Sequence, residues 1–290
     1  MAGSVPLSEV FDRRNPDGDP APLVVEVPRS GRLYPPDFRA TAPFEAIHAA
    51  VSMHVDDLFA GTPAAGGTYL VARFPNTYID ANRGLDDLDP SLIDGEWPDP
   101  LPSTEKTRLG VGLVRALARP GAPMYDRRLS VAEIRHRIRS YHEPYHRELG
   151  ATLEQHRRRF GGAWHLSCHC MAAIGSAQAP DPRKPRPDFC IGDRDGTTSA
   201  PAFVELVVET LRACGYHVTV NDPYQGAECV RRHGAPARGV HSLQIETNKK
   251  LFMDETTLVK TAGFARLRAD VDRLLSAVTD FSRRVAGGSA

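Results

Sequence analysis

Three stretches of this sequence carry residues of types and spacings suited to acid–base chemistry. Residues 163–171 read Ala-Trp-His-Leu-Ser-Cys-His-Cys-Met and follow a Gly161-Gly162 break. On a strand the side chains alternate, so Trp164, Leu166 and Cys168 face one way and His165, Ser167 and His169 the other. An apolar strand whose second face carries two imidazoles and a hydroxyl suits the floor of a site. The competing reading makes one histidine a hydrogen-bonded core residue and leaves the other exposed. The second stretch is residues 240–247, where Gln244 and Glu246 share one face and His241 takes the other. Glu246 stands in a strand that otherwise reads as interior, where a carboxylate is out of place unless it has a partner or a task.

The third element is cationic. Arg29 occupies a polar turn, residues 28–31, at the end of the strong strand 23–27. Asn82 and Arg83 follow a strand-like segment, residues 78–80. A guanidinium fork beside an amide donor holds a carboxylate in two-point fashion. A solvated surface arginine is the plain alternative for each. Asn221 and Tyr224 lie in the loop 221–226, and Gly192 opens a polar loop, 192–199, before a helix at 201–214 with Ser199 as expected N-cap.

Metal-binding signals are partial. His54, Asp56 and Asp57 end a helix expected over residues 44–60, but consecutive helical residues spread by about 100° and only part of the set can share a direction. Asp86, Asp87 and Asp89 lack the bidentate glutamate of a calcium loop. Cys168-x-Cys170 beside His165 and His169 resembles half of a zinc knuckle without its second half. A cysteine nucleophile, Cys168 or Cys170 with His169 as base, would have its partners on opposite faces of a strand.

The elements that position these residues alternate between strand and helix. Residues 68–74, 189–191 and 216–221 read as further strands. Residues 130–159 read as one long helix or two, with a Ser130-x-x-Glu133 capping box and a kink or break at Pro144. A short helix is expected near residues 109–117, a mobile solvated loop at 175–187, and a final amphipathic helix at 263–284. The alternation predicts α/β architecture: a single three-layer domain over residues 21–285, behind a flexible lead-in at 1–20. Its polar strand-end loops gather on one edge, where open α/β sheets bind ligands.

Composition narrows the function. The 290 residues are 41% hydrophobic and 25% charged, with 36 Lys plus Arg balancing 36 Asp plus Glu. Zero net charge argues against nucleic acid or an anionic membrane as partner. No apolar run reaches the roughly 20 residues of a membrane span, and the first 20 residues lack a signal-peptide apolar core. A cytoplasmic protein with five reduced cysteines is expected. Its oligomeric state is not encoded in any pattern of the sequence.

Six strings occur in an order that resembles the N-formylglutamate amidohydrolase family, relatives of zinc carboxypeptidases and succinylglutamate desuccinylases. They are Val27-Pro28-Arg29-Ser30-Gly31, Tyr78-Ile79-Asp80-Ala81-Asn82-Arg83, Tyr141-x-x-Pro144-Tyr145-His146, Cys168-His169-Cys170-Met171, Asn221-Asp222-Pro223-Tyr224-x-Gly226, and Leu243-Gln244-Ile245-Glu246 followed by Leu251-Phe252-Met253-Asp254-Glu255. The resemblance implies a phosphorylase/hydrolase-like fold with a mixed central sheet. It implies cleavage of the amide of a small N-acyl acidic amino acid such as N-formylglutamate, by water activated on Zn2+. His169 matches the family's metal histidine, Glu246 its proton-accepting carboxylate, and Asn82-Arg83 its substrate-carboxylate pair. Asn221 and Tyr224 would line the pocket, with Arg29 adding a second cation.

Three departures matter. Arg29 stands where the family has a metal-binding histidine, and Ser167 where it has an orienting aspartate. Ser52 occupies a position that is often acidic. A zinc site would then need a rearranged set, His169 with His165, His54 or Asp56. The alternative is a metal-free binding or regulatory protein with an arginine-lined dicarboxylate pocket.

Overall fold

The computed structural model describes residues 5–177 and 179–288. Its main sheet has seven strands: β1 (Phe11–Arg14), β2 (Leu23–Val27), β3 (Thr68–Ala72), β4 (Ala163–Met171), β5 (Phe189–Gly192), β6 (Val218–Val220) and β7 (Val240–Asn248), in the order β1-β3-β2-β4-β7-β5-β6. Every residue of β2 and β3 is buried, and so are all but one each of β4 and β7. Strands covered on both faces are the pattern of central sheet strands packed under helices. β4 pairs in parallel with β2 and β7, whereas β5 runs antiparallel to β7, so the sheet is mixed. The α/β class with a mixed central sheet is the class the sequence predicts.

The chain divides into two compact units, each assembled from separate segments. The first comprises the residues through Asp12, Pro28–Ser52 and Val71–Glu148; the second comprises Arg13–Val27, Met53–Leu70 and Leu149–Ala290. The lead-in is structured where it was expected to be flexible. Residues Leu7–Val10 form a helical turn, and β1 is an edge strand, its polar side chains tolerated because an edge faces solvent. Residues 1–4 of that lead-in lie outside the described residues.

In the second unit the helix Gly263–Ala286 buries Leu267, Val271, Leu274, Leu275 and Val278, a stripe at helical spacing. It packs on the helix Pro201–Ala213, with Phe281 stacked on Phe203 at 6.0 Å and set edge-on to Trp164 of β4. Ser199 does not cap the helix at 201; Ala200 holds that place without a side-chain cap, and Pro201 supplies the preset backbone instead. Residues 44–60 are two short helices, Phe44–His48 and Val55–Leu58. His54 between them adopts a left-handed φ of 65°, which ends helical hydrogen bonding.

In the first unit the capping box forms as predicted: the Ser130 hydroxyl accepts from the Glu133 amide and the Glu133 carboxylate accepts from the Ser130 amide. The helix from Val131 passes into a π-turn, Ile138–His142, and resumes at Glu143. Pro144 therefore sits in the first turn of the resumed helix, where a missing N–H is harmless. Residues 78–80 form a turn, not a strand. Fully buried Arg137 holds it, donating from Nη1 to the Tyr78 carbonyl at 3.0 Å and the Tyr125 hydroxyl at 2.7 Å. The short helix expected at 109–117 lies earlier, at Glu105–Arg108, behind a Thr104 cap.

Candidate active site

The chemistry-bearing residues of the second unit lie toward the carboxyl ends of three parallel strands. Parallel pairing sets His165 beside Ser242, Ser167 beside Gln244, and His169 beside Glu246; on the other side of β4, Glu26 of β2 pairs with Ser167. Paired residues on neighbouring strands share a face. One face of the sheet thus carries His165, Ser167, His169, Gln244, Glu246 and Glu26, all of them buried. The alternation read from the sequence holds for both strands.

Hydrogen bonds fix this face. The Ser167 hydroxyl donates to Glu26 Oε1 at 2.6 Å, the length expected of a hydroxyl on a carboxylate. Its oxygen, having spent its proton, accepts at 3.0 Å from His169 Nε2. That assigns the His169 proton to Nε2 and leaves Nδ1 as its basic nitrogen in the neutral ring. Gln244 Nε2 donates to Glu246 Oε1 at 3.0 Å while its Oε1 accepts from the Ala227 amide, so the Glu246 carboxylate is oriented by its own strand. Glu26 is the residue of this face that the sequence does not single out. A glutamate inside an otherwise apolar five-residue strand was the available signal.

Tyr224 and Arg186 stand within electrostatic reach of Glu246. Burial, reinforced by the Glu246 charge, pushes the Tyr224 hydroxyl up to about 12 and keeps it a donor. The Arg186 guanidinium lies 5.0 Å from the Tyr224 ring centre and is forked onto Asp181, with both bonds at 2.8 Å. The described residues of 175–187 are largely exposed, as expected of a solvated loop, while the Ile174–Pro185 bridge closes the segment and Arg186 is buried at its base. Asn221 ties its own loop to the 192–199 loop. Its amide donates to Asp193 Oδ1 at 2.7 Å and accepts from the Asp193 amide.

The expected metal ligands do not assemble into a set. His165 spends Nδ1 on Ser242, and burial drives its pKa well below the ordinary value, so it is a neutral core histidine. Asp56 accepts through its carbonyl from the Tyr69 hydroxyl, and that hydroxyl is pushed up by burial and then by the charges of Asp56 and Cys168. His54 Nε2 is bonded to the Leu258 carbonyl. Among the described residues no three His, Cys, Asp or Glu side chains are arranged to hold an ion. His169 supplies one donor where a hydrolytic zinc needs three, so these residues do not fit the implied metal. Burial also raises the Cys168 thiol well above its ordinary pKa, which removes it as a nucleophile. All five cysteines are free thiols.

The first unit carries the cationic cluster. Arg29 Nη2 donates to Asp80 Oδ2 at 2.7 Å, and Asp80 is wholly buried. Burial opposes ionisation of Asp80, but Arg29, Arg83, Arg115 and the Asn82 amide outweigh it and hold the carboxyl below its ordinary range. Arg29 is therefore a partner of Asp80 before it is a ligand for anything else. Its turn is pinned to Ser52 by two bonds, Ser52 amide to Arg29 carbonyl and Ser30 hydroxyl to Ser52 carbonyl. Gly31 is required there, since a Cβ would lie 2.1 Å from the Phe74 carbonyl.

Asn82 and Arg83 are held from below by histidines of the π-turn and the helix after it. A His142 ring nitrogen meets the Arg83 carbonyl at 2.9 Å, and a His146 ring nitrogen meets the Ala81 carbonyl at 2.8 Å. Arg83 is braced by its own donors on the Val111 and Asn82 carbonyls. Arg115, which sequence spacing does not single out, completes the group. Burial and the charge of Arg29 draw its pKa down to about 9 against the opposing pull of Asp80.

A mixed α/β sheet with a glutamate–histidine pair at its parallel strand ends, and a separate arginine cluster in the same chain, has the parts of a hydrolase of small acidic molecules. The sequence profile of the N-formylglutamate amidohydrolase family matches residues 21–253, and the chain belongs to that family. It is 28% identical over 262 residues to the N-formylglutamate deformylase of Pseudomonas aeruginosa, spanning 89% of both chains. It is 25% identical over 240 residues to the corresponding deformylase of Pseudomonas putida, spanning 81% of this chain and 83% of that one. The crystal structure of N-formylglutamate amidohydrolase from Ralstonia eutropha superposes with a TM-score of 0.90 at 42% identity, covering 96% of this chain and 99% of that one.

Proposed function

We propose that this protein hydrolyses the linear amide of N-formylglutamate or a closely related N-acyl acidic amino acid. The observation that carries the reading is the register of β4 and β7, which sets Glu246 beside His169 on one buried face. In this reading Glu246 takes a proton from a water held between its carboxylate and the basic nitrogen of His169. The oxygen attacks the acyl carbon, the carbon–nitrogen bond breaks, and Glu246 returns the proton to the departing amine. Products are formate, or the corresponding acid, and the free amino acid. Tyr224, a neutral donor within electrostatic reach of Glu246, is assigned to the developing negative oxygen. No step runs through a metal, because Arg29 replaces one expected ligand, His165 spends Nδ1 on Ser242 and His54 is bonded to the Leu258 carbonyl.

The direct test is release of formate from N-formylglutamate by the purified protein, followed with and without Glu246→Gln. Turnover that survives the substitution at full rate would remove Glu246 from the mechanism.

A second reading, a dicarboxylate-binding protein without turnover, is favoured by the arginine cluster around Asp80. Calorimetric binding of N-formylglutamate with no product formed over many hours supports it over the enzyme.

A further inference from the structure

Glu26 breaks the apolar pattern of its strand. Leu23, Val24, Val25 and Val27 are wholly buried, and so is Glu26. A carboxylate in such a place is costly unless hydrogen bonds compensate it. Its register partner on β4 is Ser167, whose hydroxyl donates to Glu26 Oε1 at 2.6 Å. His165 Nε2 lies 3.8 Å from the same oxygen, too far for a direct bond. The Ser167 oxygen also meets His169 Nε2 at 3.0 Å. Two bonds in series thus run from the carboxylate to the imidazole, through side chains of residues at most 1% exposed.

The series has a direction. An ionised carboxylate accepts and cannot donate, and a hydroxyl has one proton to give. Glu26 takes that proton's bond, so the Ser167 oxygen can only accept from the ring. The ring hydrogen is then held on Nε2, and in the neutral imidazole Nδ1 is left as the acceptor. We propose that Glu26 is a positioning residue for hydrolysis: acting through Ser167, it selects the tautomer of His169 that offers Nδ1 to the attacking water. This rests on the hydrolase reading above and extends it to a residue one hydroxyl removed from the reacting atoms.

The test reads the ring hydrogen and the rate separately. Nuclear magnetic resonance of isotope-labelled histidine ring nitrogens reports the tautomer, with the His169 signals assigned by their loss in His169→Gln. Formate release from N-formylglutamate gives kcat. Wild type should carry the His169 hydrogen on Nε2. Glu26→Met keeps the volume but removes the acceptor, so the Ser167 hydroxyl is released to donate to Nε2 and the ring hydrogen should move to Nδ1. Its kcat should fall at least about tenfold, although an apolar side chain suits the strand. Glu26→Gln, which still offers an acceptor oxygen, should retain a rate between the two. A wild-type hydrogen on Nδ1, a tautomer unchanged in Glu26→Met, or a Glu26→Met kcat within about twofold of wild type overturns the proposal. Should Glu26→Met fail to fold, as judged by circular dichroism, Ser167→Ala replaces it. Cutting the series there should abolish the Nε2 preference, and its persistence overturns the proposal. Absence of formate release by wild type defeats the hydrolase reading and leaves the tautomer result standing.

Discussion

The Glu246 carboxylate and the His169 imidazole occupy paired positions on adjacent parallel strands, β7 and β4, and face the same side of the sheet. Strand spacing alone brings their backbones to about 4.8 Å. The pair does not depend on a loop closing, and the consequences of altering it are correspondingly sharp.

Glu246→Gln keeps the shape and the contact with Gln244 but removes the proton acceptor. The expected outcome is a fall in kcat of about 10²–10⁴-fold with the melting temperature nearly unchanged. Steady-state formate release together with differential scanning calorimetry checks both halves.

His146→Ala removes the ring that braces the Ala81 carbonyl. Loss of a buried hydrogen bond costs about 1–3 kcal/mol. The loosened Asn82-Arg83 segment should raise KM more than it lowers kcat. Equal losses in both parameters would contradict a bracing role.

Asp80→Asn tests the buried ion pair with Arg29. The folded-state pKa of Asp80 lies below its unfolded value, so its contribution to stability is fully present above about pH 4 and is lost as pH falls through the folded value. Breaking such a pair costs about 3–5 kcal/mol. Denaturant melts should show the variant weaker at pH 7, with the gap to wild type narrowing below about pH 4. A gap that stays constant down to pH 2 would assign the loss to packing.

Metal dependence follows from the ligand geometry. With Arg29, Ser52 and Ser167 at the three departing positions, the purified protein is expected to hold well under one zinc per chain by elemental analysis. Formate release should then survive prolonged dialysis against a strong chelator. Abolition by chelator and full restoration by added zinc would show that a ligand set forms that this geometry does not contain.

The legible part of the site is the part that follows strand period. His165, Ser167 and His169 alternate with apolar neighbours, and Gln244 and Glu246 do likewise, so their common face could be read without coordinates. Glu26 was hidden because it has a single polar side chain in a strand too short to display a period. Arg115 and Arg186 were hidden because long-range contacts, not local spacing, bury them. The break at His54 was hidden for a different reason: the apolar residues of 44–60 satisfy helical spacing whether the helix is continuous or split by one left-handed residue.

The sheet-borne pair and the loop-borne arginines change under different rules. Replacing a residue of β4 or β7 disturbs a ladder buried on both sides, so the bond-breaking apparatus tolerates little drift. The turns carrying Arg29 and Arg83 and the segment carrying Arg115 are free of that ladder. Under the proposed function, descendants of this chain can therefore acquire new substrates by exchanging a few loop residues, while inheriting the same means of splitting them.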